Sequence, residues 1–180
     1  RASVDYVTSF LPNNGQGQII AVAMVGQSST YLTIVLNGQT IFEREQSFGG
    51  NQLTQDIMRL YGLGPEEAES KKRAGELPDG YEEELLRPFV GQGATDIGRA
   101  LQFFFTSTPY TRVDQIYLAG GSSVVPGLVE AVAERTQVPT ELFSPFQGME
   151  IAGNLRERQL RTDAPALLVA TGLAMRRFDP

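Results

Sequence analysis

The chain has no cysteine and no histidine among its 180 residues. These absences exclude disulfide bonds, thiolate metal sites and every catalytic pair of a nucleophile with histidine, and they remove the most common zinc ligand. No apolar run approaches the ~20 residues that a membrane helix needs, and no charged-then-apolar signal peptide opens the sequence. We therefore expect no direct membrane insertion.

Positive charge is also scarce, since the chain has 15 basic and 21 acidic residues and its net charge is −6. This balance argues against non-specific nucleic-acid binding, and we expect no nucleic-acid partner. The last thirty residues are locally basic, a pattern that a solvated helix face or a domain contact explains. The composition, 41% hydrophobic and 20% charged, is that of an ordinary globular protein.

The chain is organised around residues 118–123, Leu-Ala-Gly-Gly-Ser-Ser. A short apolar strand runs into the glycine pair, and a helix is predicted to open near Val125 with Pro126 in its first turn. Paired glycines permit positive φ and a close approach of a ligand to the main chain. A helix N-terminus suits phosphate or another anion. A plain turn between a strand and a helix fits the same pattern, so both interpretations stay open here.

Three strands are predicted before this stretch, at residues 18–25, 30–36 and 39–46. The first is almost continuously apolar, as in a strand that is buried on both faces. Asn37 and Gly38 predict a type I′ hairpin, because both central residues of that turn need positive φ. The three strands therefore form an antiparallel meander.

Helical patterns cover residues 51–61, 65–74 and 81–107, and glycines at positions 62 and 75 end the first two. The third pattern contains Gly91, Gly93 and Gly98, each costing about 1 kcal/mol relative to alanine. We expect one continuous helix that is weakened near Gly91. Its run of three phenylalanines, residues 103–105, is predicted to lie in the core.

Further strands are predicted at residues 113–119 and 138–143, with a helix to Arg135 between them, an irregular segment at 147–161 and a last helix from Thr162 to about Arg177. This order predicts an α/β fold with a ribonuclease H-like core, a mixed five-stranded sheet flanked by helices with a small helical insertion. A nuclease of this fold needs clustered carboxylates for metal. The strands offer only Glu43 and Glu45, and Met24 stands where a central carboxylate would be useful, so a nuclease is disfavoured.

Five segments resemble the PilM family, the actin-like cytoplasmic proteins of type IV pilus assembly, which are related in fold to FtsA. They are residues 37–38 (Asn-Gly), 48–54 (FGGNQLT), 101–105 (LQFFF), 118–121 (LAGG) and 163–175. The resemblance implies an actin-like ATPase domain, and it covers only the second half of a PilM. Residues 1–17 would end a helix and loop of a preceding domain, residues 18–161 would form the second domain with its insertion at about 50–80, and residues 162–180 would pack toward the first domain.

The resemblance also implies ATP or ADP with Mg²⁺ in a cleft between two domains. The phosphates would face the hairpin formed by Gly26, Gln27, Ser28, Ser29 and Thr30. The adenosine would lie on Gly120, Gly121, Ser122 and Ser123. Lys72, and less directly Glu69, would contact the ribose or the base, although a lysine near a helix C-terminus also has a purely structural explanation.

One departure from the family pattern is Met24, which stands where the family hairpin carries aspartate two residues before the glycine. A thioether is a poor partner for magnesium-bound water, so we expect weak or absent ATP hydrolysis and weakened nucleotide binding.

By resemblance the protein is a nucleotide-binding scaffold of the pilus assembly platform. It would be cytoplasmic and peripheral to the bacterial inner membrane, docked on the cytoplasmic tail of a PilN-like protein and in contact with the assembly ATPases. An actin-fold ATPase or kinase, and a nucleotide-free interaction module of the same fold, are the alternatives.

Overall fold

The computed structural model describes residue 7, residues 16–146, residue 160 and residues 164–175. Five strands form one sheet in the order β3-β2-β1-β4-β5. They span Ile19–Val25 (β1), Thr30–Leu36 (β2), Gln39–Gln46 (β3), Gln115–Ala119 (β4) and Thr140–Leu142 (β5). β1 pairs antiparallel with β2 and parallel with β4, β2 pairs antiparallel with β3, and β4 pairs parallel with β5. The predicted ribonuclease H-like mixed sheet is confirmed.

The hairpin between β2 and β3 turns through Asn37 and Gly38, whose φ angles are 51° and 74°. Both values lie in the left-handed region that the predicted type I′ turn requires. The predicted turn type is therefore confirmed.

Two helices follow β3, Gly50–Tyr61 (α1) and Pro65–Ala74 (α2). Gly62 and Gly75 end them in the left-handed conformation, with φ angles of 66° and 70°. Helix α1 buries Leu53 and Ile57 in the main core, whereas α2 buries only Ala68. Helix α1 therefore anchors the insertion to the main core. Helix α2 lies outside that core and carries charged residues at both of its ends.

The long helix is continuous but irregular at its start, with a π-helical turn at Glu82–Leu86 leading into the α-helix Arg87–Ser107 (α3). Pro88 explains the irregularity, because proline has no N–H to donate and its ring clashes with the carbonyl four residues earlier. The predicted continuous helix is confirmed, since α3 passes through Gly91 without a break, and its lower stability near that glycine stays a prediction.

Phe104 is fully buried, but Phe103 is 50% exposed under the guanidinium of Arg44, which lies 4.4 Å from the ring centroid. The prediction that all three phenylalanines belong to the core was therefore wrong for Phe103. Consecutive helical residues point about 100° apart, so a run of three cannot share one face.

The helix after β4 begins later than predicted. It spans Leu128–Thr136 (α4), and Val125 and Pro126 lie in the turns before it. Gly127, with a φ of 82°, is its N-cap. The N-terminus of α4 is therefore separated from the glycine pair at 120–121, which corrects the idea that a helix dipole directly supports that pair.

Two apolar clusters cover the two faces of the sheet. The main cluster joins alternate residues of β1 and β2 to α1, α3 and α4. The second holds Val7, Ile20, Val22, Ala119, Phe143 and Leu168. Leu168 opens the helix Leu168–Met175 (α5), which follows a 3₁₀ turn at Ala164–Leu167. Residues 147–159 and 161–163, where an irregular segment and a helix cap were predicted, lie outside the described residues.

Candidate functional site

Three backbone segments meet at the carboxyl ends of β1 and β4. They are the turn at 26–29 between β1 and β2, the glycine pair at 49–50 that opens α1, and residues 120–123 after β4. Parallel neighbours in an α/β sheet end on the same edge, which is where ligands bind in open sheets of this kind. We call this meeting point the glycine-built site.

The turn at 26–29 is closed by a hydrogen bond from the N–H of Gly26 to the carbonyl of Ser29, 2.9 Å long. It is attached to α1 by two more bonds. Gly50 donates its N–H to the carbonyl of Gly26 at 3.0 Å, and Asn51 donates to Gln27 at 2.8 Å. The first amides of α1 are therefore used to hold the turn and do not face a ligand.

Glycine is required where these segments touch. A Cβ on Gly49 would collide with the backbone of Gln27 and would lie 2.7 Å from the nitrogen of Ser28, and a Cβ on Gly50 would collide with the Ser122 hydroxyl. The glycine pair at 49–50, which sequence analysis used only as part of the family resemblance, is therefore part of the site. Its signal in the sequence was the pair itself, directly before a helix.

Glycine is also required at position 120. Its φ is 94°, and a Cβ there would collide with the carbonyl of Val25 at the end of β1. The N–H of Gly120 donates to the carbonyl of Pro165 at 2.8 Å, and the N–H of Ser122 donates to Val25 at 3.1 Å. The segment after β4 is thereby bound to β1 on one side and to the turn before α5 on the other.

Two of the predicted contacts are buried inside the protein. The Thr30 side chain is buried and its hydroxyl donates to the carbonyl of Phe48 at 2.8 Å. The Ser123 side chain is buried and its hydroxyl donates to the carbonyl of Gly120 at 2.7 Å. In this arrangement both hydroxyls hold the loops together and are not open to a ligand, which corrects the expectation that they face it.

The remaining predicted residues lie at the surface of the site. Gln27, Ser28 and Gly121 are exposed, and Ser29 and Ser122 are half-buried. Within the part of the chain that the structure describes, the N–H groups of Gln27, Ser28 and Gly121 have no acceptor. Unpaired amides in a turn are donors for an anion.

Next to the turn, the phenol of Tyr31 is half exposed. A hydrogen bond with the Glu45 carboxylate raises the pKa of Tyr31, and one with the Ser29 hydroxyl opposes that rise.

Met24 lies two residues before Gly26 and pairs with Ala119 on β4 and Tyr31 on β2. Its side chain is half-buried against the second apolar cluster. Among the described residues no group of three acidic side chains could hold a metal ion. The site thus offers backbone donors and no built metal centre.

Lys72 does not lie in the turn but in a charged cluster between α1 and α2. Its ammonium donates to the hydroxyl of Thr54 at 2.7 Å and to Glu69 Oε2 at 2.6 Å, and Thr54 donates to the same carboxylate oxygen at 2.8 Å. Arg73 donates to Glu69 Oε1 at 2.9 Å. We call these four residues the charged cluster.

Partial burial opposes ionisation of the Glu69 carboxyl, but the bonds from Lys72, Arg73 and Thr54 outweigh it and lower the pKa of Glu69 to about 2. The Glu69 carboxylate therefore stays ionised at neutral pH. Thr54, one turn into α1, also lies 3.2 Å from the carbonyl of Gly50, which connects the cluster to the glycine-built site.

Two open cavities lie elsewhere, along the contact between α3 and α4, with volumes of about 350 Å³ and 270 Å³. Their linings carry no chemistry that sequence analysis had singled out. None of the described helices has the length and the apolar character to cross a bilayer.

A family model described as type IV pilus assembly protein PilM matches residues 1–178. Among solved structures, a PilM–PilN type IV pilus biogenesis complex shares the fold with a TM-score of 0.84 at 24% identity, over 99% of this chain and 51% of that one. The chain therefore spans about half the length of this structural match.

Two more distant structures share the same fold. EutJ, the ethanolamine utilization protein of Carboxydothermus hydrogenoformans, has a TM-score of 0.64 at 16% identity, over 97% of this chain and 53% of its own. MreB5 of Spiroplasma citri bound to AMPPNP has a TM-score of 0.64 at 15% identity, over 97% of this chain and 56% of its own. These neighbours establish an actin-like fold.

Proposed function

The chain belongs to the PilM family of type IV pilus assembly proteins, and from that premise we propose that it is a nucleotide-binding scaffold of the pilus assembly platform. It is cytoplasmic and peripheral to the bacterial inner membrane, where it docks on the cytoplasmic tail of a PilN-like membrane protein and contacts the assembly ATPases. The similarity to a PilM–PilN complex supports the choice of partner.

The observation that carries the nucleotide part of the proposal is the convergence of three backbone segments with unpaired N–H groups on Gln27, Ser28 and Gly121. Backbone amides held by a rigid turn recognise phosphate without any basic side chain. A structural neighbour of the same fold, MreB5, is bound to AMPPNP. The phosphates would lie at the turn 26–29 and the adenosine beside Gly121 and Ser122.

The proposed ligand is ATP or ADP with Mg²⁺. The site fits the phosphates, because its exposed donors are amides. It does not provide an acidic group for the metal, since Met24 replaces the family aspartate and is packed against apolar side chains. Any Mg²⁺ would therefore be held mainly by the phosphates and water, its usual ligands.

A scaffold fits this site better than an enzyme. Hydrolysis needs a group that positions or activates water, and the turn carries glutamine and serine with no acidic or basic side chain. An actin-fold ATPase or kinase remains the second candidate, and a nucleotide-free interaction module the third. We propose that restoring the acidic group with Met24→Asp increases the dependence of nucleotide affinity on Mg²⁺ several-fold, which titrations with and without the metal would measure.

Calorimetric titration of the intact protein with Mg-ATP tests the proposal. We expect saturable binding of wild type, retained binding in Gly64→Ala, and strongly weakened binding in Gly49→Ala. Both glycines are N-caps of helices, but only at Gly49 would a methyl group push against the turn. If wild type gives no heat with millimolar nucleotide, the nucleotide-free module replaces this proposal.

The docking part has its own test. The chain spans about half the length of the PilM structure it matches, and we place the groove for the partner's tail in the half that is not covered. A peptide from the cytoplasmic tail of the PilN-like partner should bind the intact protein and not this chain by itself. Retention of the peptide by this chain would contradict that placement.

A further inference from the structure

Thr54 links the two parts of the candidate site. Its side chain is only 6% exposed, and its hydroxyl forms a closed triangle with the ammonium of Lys72 and the carboxylate of Glu69, with edges of 2.6–2.8 Å. A hydroxyl has one proton and two lone pairs, so it can donate to Glu69 while it accepts from Lys72. Neither bond would survive replacement of the oxygen by a methyl group.

We propose that Thr54 is a positioning residue that fixes the ammonium of Lys72 beside the first turn of α1, where it meets the sugar of a nucleotide bound at the glycine-built site. The inference rests on the proposed function. Thr54 belongs to α1, whose first amides hold the turn at 26–29. Lys72 belongs to α2, which contributes little to the core. The triangle is therefore a direct link between Lys72 and the site.

The resemblance to the PilM family indicates which part of a nucleotide Lys72 would meet, namely its ribose or its base. The carboxylate of Glu69 lies 2.6 Å from the ammonium and offsets its charge. An ammonium has three N–H donors, of which Thr54 and Glu69 take two, and no other described residue accepts the third. This free N–H can donate to a hydroxyl of the ribose, which is a neutral acceptor.

A nucleotide-free test uses the fact that the chain has only two lysines, Lys71 and Lys72. Their side chains are 39% and 15% exposed. Limited acetylation of the intact protein, read by mass spectrometry at each lysine, should modify Lys72 much more slowly than Lys71. Thr54→Val should raise the ratio of Lys72 to Lys71 modification about tenfold, because it removes one of two bonds that restrain the ammonium.

Thr95→Val is the control, since the Thr95 hydroxyl likewise lies close to the carbonyl four residues earlier, to which it donates at 2.8 Å, but on α3. It should leave the lysine ratio unchanged, and Thr54→Ser should restore the wild-type ratio. Thr54→Ala replaces the valine variant if the latter does not fold. An unchanged ratio in the variant without the hydroxyl would overturn the inference.

Measurements of ATP and tripolyphosphate affinity distinguish this inference from the proposed function. Thr54→Val should weaken ATP about tenfold and leave tripolyphosphate, which lacks the sugar, unchanged. Equal affinity of wild type and Thr54→Val for ATP, or equal losses for both ligands, overturns the positioning role while ATP binding stands. Failure of wild type to bind ATP overturns the proposed function and this inference with it.

Discussion

The glycine-built site and the charged cluster are neighbours on α1, yet they are made in opposite ways. The glycine-built site consists of main-chain atoms in contact, and its most important residues are mostly glycines, which have no side chain. The second consists of four polar side chains on two helices. The first should therefore be sensitive to any added carbon atom and insensitive to pH, whereas the second should show the reverse pattern.

The largest effect is expected at Gly120, where Gly120→Ala adds a Cβ against the Val25 carbonyl at a φ of 94°. We expect a loss of about 3 kcal/mol in the free energy of unfolding, from backbone strain and steric overlap together. Urea titration followed by circular dichroism measures it.

The control for this prediction is the next residue, since a Cβ on Gly121 would meet only Ala166, at 3.7 Å. Gly121→Ala should change stability by less than about 0.5 kcal/mol, as at an ordinary surface position. Equal losses at the two glycines would show that the contact with β1 is not what requires glycine.

The second effect concerns Gly49, whose φ of −167° any residue can adopt. Gly49→Ala therefore adds no backbone strain, and we expect about 2 kcal/mol from overlap with the turn, beyond the smaller loss that alanine causes at any N-cap. Gly64→Ala, at the N-cap of α2, meets nothing within 4 Å and should cost only about 0.5–1 kcal/mol, because alanine is a poorer N-cap residue than glycine. Similar unfolding midpoints for the two variants would contradict the contact between α1 and the turn.

The third prediction tests whether the atoms that an added Cβ would meet also decide the effect of Gly→Ala substitutions within α3. A Cβ on Gly93 would overlap the ring of Phe48, whereas one on Gly91 would meet nothing within 4 Å. We expect Gly93→Ala to destabilise the protein by about 1–2 kcal/mol. Gly91→Ala should stabilise it by about 0.5–1 kcal/mol, because alanine is the better helix former. Calorimetric melting temperatures should move in opposite directions, and a shift of the same sign in both would refute this account.

The smallest effect is expected at Glu69, whose pKa is lowered to about 2 in the folded protein. Since the folded pKa lies below the unfolded one, the ionised carboxylate contributes stability that is present above about pH 4.5 and is lost as the pH falls toward 2. Glu69→Gln should remove this part of the pH dependence. Urea midpoints measured between pH 5 and pH 2 test it, and parallel curves for wild type and variant would contradict the assigned ion pairs.

The sequence was most informative where a local rule decides the backbone. The I′ turn at 37–38, the helix ends at Gly62 and Gly75, and the bounds of β2 and β3 follow from such rules, and the order of elements gave the sheet. The start of α4 was predicted too early because Val125 and Pro126 fit a first helical turn. The left-handed conformation of Gly127 instead keeps them outside the helix.

The site was harder to predict, because its contacts join residues that are far apart in the chain. Gly120 was recognised from the glycine pair after a strand and Gly26 from the resemblance. Gly49 and Gly50, by contrast, owe their role to contacts with Gln27 and Ser122. Thr30 and Ser123 have the residue types of ligand contacts, yet their hydroxyls bind carbonyls inside the protein. Whether a hydroxyl faces a ligand or a neighbouring loop depends on packing that no local pattern encodes.

The most direct test of the central claim is hydrogen–deuterium exchange of the intact protein with and without Mg-ADP. The account predicts slower exchange on ligand binding in the segments 26–29, 49–51 and 120–123 together, and unchanged exchange along the contact between α3 and α4. Protection confined to the α3–α4 contact, or absent from the turn at 26–29 while the nucleotide is bound, would contradict it.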